Sequence, residues 1–390
     1  MLAAGAAGCA TPSLDAARTD FYAGRMEKAA RTLENAVANE KDRALLWMER
    51  GTIRQAVGRY EESAADFLHA ADLLESFETY SVSQGAASLV VNDTVQPYRG
   101  APYERTLLFA FGAHNYLALA RWDDAAVEGR RMIRSLEPDV RRDFPDHAYA
   151  RYLAGLTLEL LDDPSNAALQ YRRAAALAED AAITPETGRL APAPAGTNEP
   201  PRAAAEAIPP PPGDWDHELV CSLLLGRSPD GYAVARDSDY WLRAVPPRVE
   251  IHIAGRPAGR AFRLGDTLEL AATTERLEAA RRAAKAITRI VIKEGLAHTA
   301  AQAADNEAVG ELVRLILYFF EQPDYRRWET LPRWLMIARV PCPAGLTEFD
   351  VVTRNRLGNV IRRDTVRAPL TRRRKLYWSL YRDTLPPPGP

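Results

Sequence analysis

The chain has 390 residues, 47% of them hydrophobic and 26% charged, the proportions of a globular protein long enough for two domains. Its 50 basic residues face 52 acidic ones, a net charge of −2, so no basic field recruits nucleic acid. No apolar run approaches the roughly 20 residues of a membrane span, and the richest, 312–320, is short and carries Arg314.

Residues 1–10 read MLAAGAAGCA. Ala6-Ala7-Gly8-Cys9 resembles a bacterial lipobox, in which small side chains precede a cysteine that becomes lipidated. The resemblance implies a lipid anchor on Cys9 and, with Ala10 rather than Asp following, an outer-membrane lipoprotein facing the periplasm. There is no basic n-region and the apolar stretch is short, so on this reading Met1 falls inside a signal that starts upstream. The other reading is a plain Ala/Gly start with an incidental cysteine. Cys221 and Cys342 show no metal spacing and read as small buried apolar residues, with one disulfide left open in an oxidising compartment.

From Thr11-Pro12, a helix start, to residue 182 the spacing is helical. Trp47, Gly51, Gly58, Tyr60, Ser63, Phe67 and Ala70 fall at positions 4, 8, 15, 17, 20, 24 and 27 of a 34-residue tetratricopeptide register. Gly24, Met26, Ala29, Leu33 and Ala36 repeat it upstream. Phe109, Ala113, Tyr116, Trp122 and Ala125 form a third unit, and Gly155, Ala167, Tyr171 and Ala174 a degenerate fourth. The position-20 residues Ala29, Ser63, Ala125 and Ala167 are 34, 62 and 42 apart, which implies insertions of about 28 and 8 residues.

The larger insertion, loop 80–105, breaks the Ala-rich pattern with SLVVNDTVQPYRGAPYER. Asn92, Asp93, Tyr98, Tyr103, Glu104 and Arg105, with Glu128 and Arg131 on the following hairpin, are the candidate partner- or ligand-binding residues. The competing reading makes this loop a structural cap with buried tyrosines. Paired acids Asp123-Asp124 and Asp162-Asp163 fall at inter-helix turns, where acids cap helices.

Residues 183–214 are too proline-rich for helix or sheet interior and read as a linker. Residues 215–385 change period. Strands are expected at Glu218–Leu225, Val249–Ile253, Trp334–Val340, Thr347–Thr353, Asn359–Val366 and Lys375–Tyr381, and helices at Thr274–Ala304 and Glu307–Glu321. The last strands read as an antiparallel meander turning at Pro343-Ala344-Gly345 and Leu357-Gly358-Asn359. This predicts an α+β domain with an antiparallel sheet, or a small sandwich interrupted by a helical hairpin. Arg372-Arg373-Arg374-Lys375 reads as solvated surface, and 386–390 as a frayed tail. Asp324, Arg327 and Trp328 are candidates for a second interaction surface; a structural corner is the plainer account.

The strings MERGTIRQAVGRYEES, VNDTVQPYRGAPYER and AAVEGRR, with Asp324-Tyr325-Arg326-Arg327-Trp328-Glu329-Thr330-Leu331-Pro332 and Pro343-Ala344-Gly345, resemble an uncharacterised family of bacterial tetratricopeptide lipoproteins. The resemblance implies an envelope lipoprotein with no established catalytic residues and a cell-wall association. This chain departs from it in its longer Pro-rich middle.

Six histidines make no metal spacing, and no nucleophile elbow, phosphate-binding loop or dinucleotide fingerprint occurs. The expectation is therefore a multi-domain, non-enzymatic scaffold without cofactor or metal. Its repeats would bind an envelope protein or peptide, with a lipid anchor and no nucleic acid. Two alternatives remain open: a small-molecule or glycan pocket between loop 80–105 and the repeats, and a structural subunit of an envelope complex.

Overall fold

In the chain's first half, small residues spaced at helical intervals let pairs of helices close on one another. The computed structural model describes residues 12–83, 97–141, 143–193, 212–228, 245–280, 326–355 and 357–384. Four helical hairpins stand side by side: α1 (Pro12–Tyr22) with α2 (Met26–Leu33), α3 (Arg43–Ala56) with α4 (Tyr60–Ser83), α5 (Pro102–Ala118) with α6 (Trp122–Ser135), and, after the single turn α7 (Pro138–Arg141), α8 (Ala148–Leu160) with α9 (Pro164–Leu177).

One turn serves all four. Gly24, Gly58, Ala120 and Asp162 have φ of 75°, 79°, 55° and 65°. The next amide reaches back five residues in each case: Arg25 to Asp20, Arg59 to Arg54, Arg121 to Tyr116 and Asp163 to Leu158, at 2.8–3.0 Å. This is the Schellman closure, which satisfies carbonyls left over at a helix end. Asp163 then caps α9, accepting from the Asn166 amide at 3.2 Å.

Size complementarity holds the hairpins shut. A Cβ on Gly51 would stand 2.5 Å from the Phe67 ring, and one on Gly155 would stand 2.9 Å from Tyr171. Ala29, Ser63, Ala125 and Ala167 are all buried at the crossings.

The second half is built on one eight-stranded sheet: β3 (His217–Leu225), β4 (Arg248–Ile253), β5 (Arg256–Asp266), β6 (Trp334–Cys342), β7 (Phe349–Arg354), β8 (Val360–Val366), β9 (Leu370–Arg373) and β10 (Leu376–Asp383), in the order β8-β7-β4-β5-β6-β3-β10-β9. The sheet is mixed, not antiparallel as expected, because β3 and β10 run parallel. The expected meander is also redrawn. β7 and β8 do form a hairpin, but β6 pairs with β3 and β5 instead of β7, and β10 pairs with β3 and β9.

β5 is where the sheet curls. Its first part pairs with β4 and its last part with β6, with a register shift between Arg263 and Gly265. The curl brings β8 back to β10, where Arg362 meets Asp383 at 2.8 Å. Inside lies one apolar cluster, including Leu223, Ile251, Met336, Phe349 and Val351. The other face, through Val220, Leu224, Leu335, Ile337 and Trp378, belongs to the same core as the helices.

The two halves thus share a core. The start of the expected linker is ordered as well: β1 (Ala181–Ile183) and β2 (Leu190–Pro192) pair antiparallel, and the Tyr152 hydroxyl donates to Gly188 O at 2.7 Å. Residues 194–211 lie outside the described residues. α10 (267–280) starts earlier than the expected helix, with Asp266 accepting from the Leu268 amide at 2.9 Å. The rest of that helix and the expected Glu307–Glu321 helix lie outside the described residues.

Cys221 and Cys342 are free and buried. Cys221 sits opposite Ala338 and Cys342 opposite His217, four residues apart along β6. At about 3.3 Å per residue that is ~13 Å, beyond the ~7 Å limit for a bridge. The disulfide left open by sequence is excluded by register.

Candidate functional site

Two glutamates on neighbouring hairpins are buried where an isolated carboxylate would be expensive, so each needs donors. Glu49, on α3, is 0% exposed and Glu104, in the first turn of α5, is 1% exposed. Both find their donors in a segment without regular structure that enters from the sheet half, residues 326–331, and turns at Glu329-Thr330.

The Trp328 amide donates to Glu104 Oε1 at 2.8 Å. The Glu329 amide donates to Glu49 Oε1 at 2.8 Å and the Thr330 amide to Glu49 Oε2 at 3.2 Å. The segment's carbonyls are met as well. Arg18 Nη2 donates to Arg327 O at 3.2 Å and Arg382 Nη2 to Thr330 O at 2.9 Å. The Tyr22 hydroxyl donates to Glu329 O and, at 3.3 Å, to Leu331 O. Arg18 also grips Glu49 Oε1 through Nε at 3.0 Å and Nη2 at 2.6 Å, which neutralises that carboxylate.

The Trp328 side chain fills the groove between the hairpins. Its ring lies 5.8 Å from Phe67 and 5.2 Å from Phe111, both tilted. The indole N–H donates to Thr52 Oγ1 at 2.9 Å and approaches Thr330 Oγ1 at 3.2 Å. At the entrance, Arg326 pairs with Asp42 at 2.7 Å and lies over the Tyr98 ring. Arg327 pairs with Glu275 at 3.1 Å.

Glu104 is a junction. Besides the Trp328 amide it accepts the Tyr98 hydroxyl at 2.6 Å and, reaching back from the third helical position to the N-cap, the Ala101 amide at 2.6 Å. Burial pushes its carboxyl above the usual range, while the Tyr98, Trp328 and Ala101 donors pull the other way.

The sequence candidates separate accordingly. Tyr98, Tyr103 and Glu104 come together and are buried, so the end of loop 80–105 packs as a wall of the groove. Arg105 binds Arg99 O at 3.1 Å beside it. Glu128 and Arg131 pair at 3.3 Å on α6, where burial raises the Glu128 carboxyl to about 7, partly offset by Arg131. Trp328, a candidate for a second surface with a structural corner as the plainer account, is 1% exposed and presents no surface, because the groove swallows it. Cys9, Asn92, Asp93 and Asp324 lie outside the described residues.

Sequence reading missed Glu49, Arg18 and Thr52, each an ordinary polar residue within a helical pattern. The run Arg372-Arg373-Arg374-Lys375 lies at the surface as expected, with Arg372, Arg374 and Lys375 exposed. There Arg374 pairs with Asp162 in the last hairpin turn, with Arg373 at 3.9 Å, and Lys375 pairs with Asp216 at 2.7 Å. Arg339 adds a buried link, reaching Glu159 at 2.8 Å and Glu218 at 2.6 Å.

A cavity of about 250 Å³ lies between α3 and the β8–β9 connection, lined by residues that include Gln55, Tyr60, Thr365 and Arg367. It is not beside loop 80–105, where a pocket was expected as one alternative. Among the described residues no cluster of His, Cys, Asp and Glu could hold a metal ion, and no helix is long and apolar enough to cross a membrane.

Compared with known proteins, the chain matches no protein-family model and no curated sequence.

Proposed function

We propose that this chain is a non-enzymatic interaction scaffold of the bacterial envelope, built on a tetratricopeptide-like array whose groove clamps the backbone of a non-helical segment. The observation that carries the reading is the pair of buried carboxylates, Glu49 and Glu104, both spent on backbone amides of one segment of irregular structure. Side chains that bind main chain recognise conformation first and sequence second, which is how a docking groove works. The turn shared by Gly24, Gly58, Ala120 and Asp162 supports the repeat assignment. The lipobox-like Ala6–Cys9 supports anchoring through Cys9 at the outer membrane, facing the periplasm.

A photo-crosslinking residue at exposed Arg99, on the rim of the groove, tests the scaffold in native membranes. Capture of one discrete envelope protein is the expected result, and capture of none would leave the helices a purely structural role. Palmitate labelling that persists after Cys9→Ala would remove the anchor.

The cavity beside α3 favours a second reading, a small polar ligand. Its volume of about 250 Å³ is below the roughly 300–1,000 Å³ of drug-sized sites, which leaves room for a single sugar ring. A rise in melting temperature with N-acetylglucosamine that Tyr60→Phe abolishes would support it.

A further inference from the structure

The 326–331 segment has the attributes of a bound peptide. It belongs to no helix or strand, its successive backbone groups are met by side chains of other elements, and one aromatic side chain is its anchor. Its partners are far away in sequence: Glu104 is 224 positions from Trp328 and Glu49 is 280 positions from Glu329. Nothing about a domain junction requires that two buried carboxylates be spent on main-chain amides, because apolar packing would join two halves at less desolvation cost.

The groove also selects side chains. Thr52 offers an acceptor where the indole N–H arrives, between the Phe67 and Phe111 rings. A phenylalanine would fill the volume and leave Thr52 without that donor. Asp42 receives an arginine two positions before the tryptophan, and Glu104 draws the charge of Arg327 next to it. The acidic entrance and aromatic floor together specify a basic residue followed by tryptophan.

From this we propose that 326–331 is a resident ligand of the helical groove, and that the same groove binds in trans a partner segment of that chemistry, an arginine-flanked tryptophan. This rests on the scaffold reading above and names its partner class. The resident segment competes from within the chain at an effective concentration in the millimolar range. A free peptide therefore meets a firmly filled groove in the wild type and a competitor that has lost its anchor when the resident indole is removed.

The test uses the full chain with Trp328→Ala and a fluorescein-labelled peptide, Arg-Arg-Trp-Glu-Thr-Leu, followed by anisotropy. Binding to Trp328→Ala at least tenfold tighter than to wild type, lost when the peptide tryptophan is alanine and weakened tenfold or more by adding Glu104→Gln, supports the assignment. If Trp328→Ala does not fold, Trp328→Leu keeps apolar volume in the groove and takes its place, with weaker but still tryptophan-dependent binding expected. A folded variant that shows no preference over wild type, or binds the alanine peptide equally well, overturns the proposal. Peptide binding without any partner crosslinked from Arg99 supports the groove assignment and overturns only the envelope-scaffold reading.

Discussion

Glu104→Gln is the sharpest single perturbation of the groove. The glutamate's two oxygens serve four donors: Tyr98 and Ala101 at 2.6 Å on one, Trp328 at 2.8 Å and, more weakly, the Tyr103 hydroxyl at 3.5 Å on the other. Glutamine must put an NH₂ group in one of those places. With its oxygen towards Tyr98 and Ala101, its nitrogen meets the Trp328 N–H, donor against donor. Turned the other way, it meets the Ala101 N–H. Losing a charge-assisted bond costs about 1.5–3 kcal/mol and stranding a buried donor about 1–3 kcal/mol. Part of this is returned, because burial already disfavours the charged carboxylate and holds its pKa up. The net expectation is a loss of about 2–3 kcal/mol. Hydrogen exchange at the Trp328 amide reads the loss locally, as a fall in protection of roughly 30- to 150-fold at tenfold per 1.4 kcal/mol. Urea unfolding reads it globally, and Tyr98→Phe in a double-mutant cycle should couple to it. Unchanged protection at Trp328, with the urea midpoint also unmoved, would refute the claim that this carboxylate holds the segment.

Gly51→Ala pushes a methyl into the Phe67 ring, whose atoms would stand 2.5 Å away; overpacking of this kind costs about 1–3 kcal/mol, and Phe67→Leu should recover part of it in urea unfolding. Glu128 gives a pH signature. Its carboxyl is raised from 4.5 to about 7 in the folded chain, so the folded state holds a proton that the unfolded state has released. Stability from this group is therefore greatest below pH 4.5 and lost as pH rises through 7. Urea midpoints at pH 5 and 8 should show Glu128→Gln relieving a penalty on the order of 2–3 kcal/mol at the higher pH. Buried His114 and His147 act in the opposite sense. Burial lowers them from 6.5 to about 3 and about 4, so their contribution is whole above pH 6.5 and drains away as pH falls, and alanine at either should flatten the acid limb of the profile. In a Cys9→Ala background, Ellman's reagent should find no reactive thiol in the native chain, since burial pushes the Cys221 thiol up strongly and Cys342 to about 12; dithiothreitol should leave the melting temperature unchanged.

The helical hairpins were readable because their contacts are local. Gly51 and Phe67 meet across one turn, and the spacing of small and aromatic residues records that meeting directly. Alternating strands such as β4, and apolar ones such as β3 and β6, were equally plain. β5 was not, because RPAGRAFRLGD has no clean alternation: the strand bends and changes neighbours halfway along. The parallel β3–β10 pairing leaves no trace in either strand's own pattern. Least visible was the groove. Arg326 to Leu331 has no period, Glu49 and Thr52 look like ordinary positions of a helix, and what joins them is a fold-back over hundreds of residues. Tyr98 and Glu104 were singled out as large polar residues in a break, which located the wall of the site without showing that it faces inward.

The place of β10 has a consequence for how the molecule is made. It is the last of the described strands in chain order, yet it inserts between β3 and β9, and its Trp378 is fully buried, stacked on His114 of α5. A nascent chain can close the hairpins one at a time as they emerge, but the sheet face they must cover lacks its closing strand until residues 376–383 have followed. Partners so distant in sequence are slow to find each other, and the unfinished face is apolar while it waits. A stop codon before Leu376 would therefore do more than trim a terminus: it would remove an interior strand, leave His114 without its stacking partner and open the shared core from the middle.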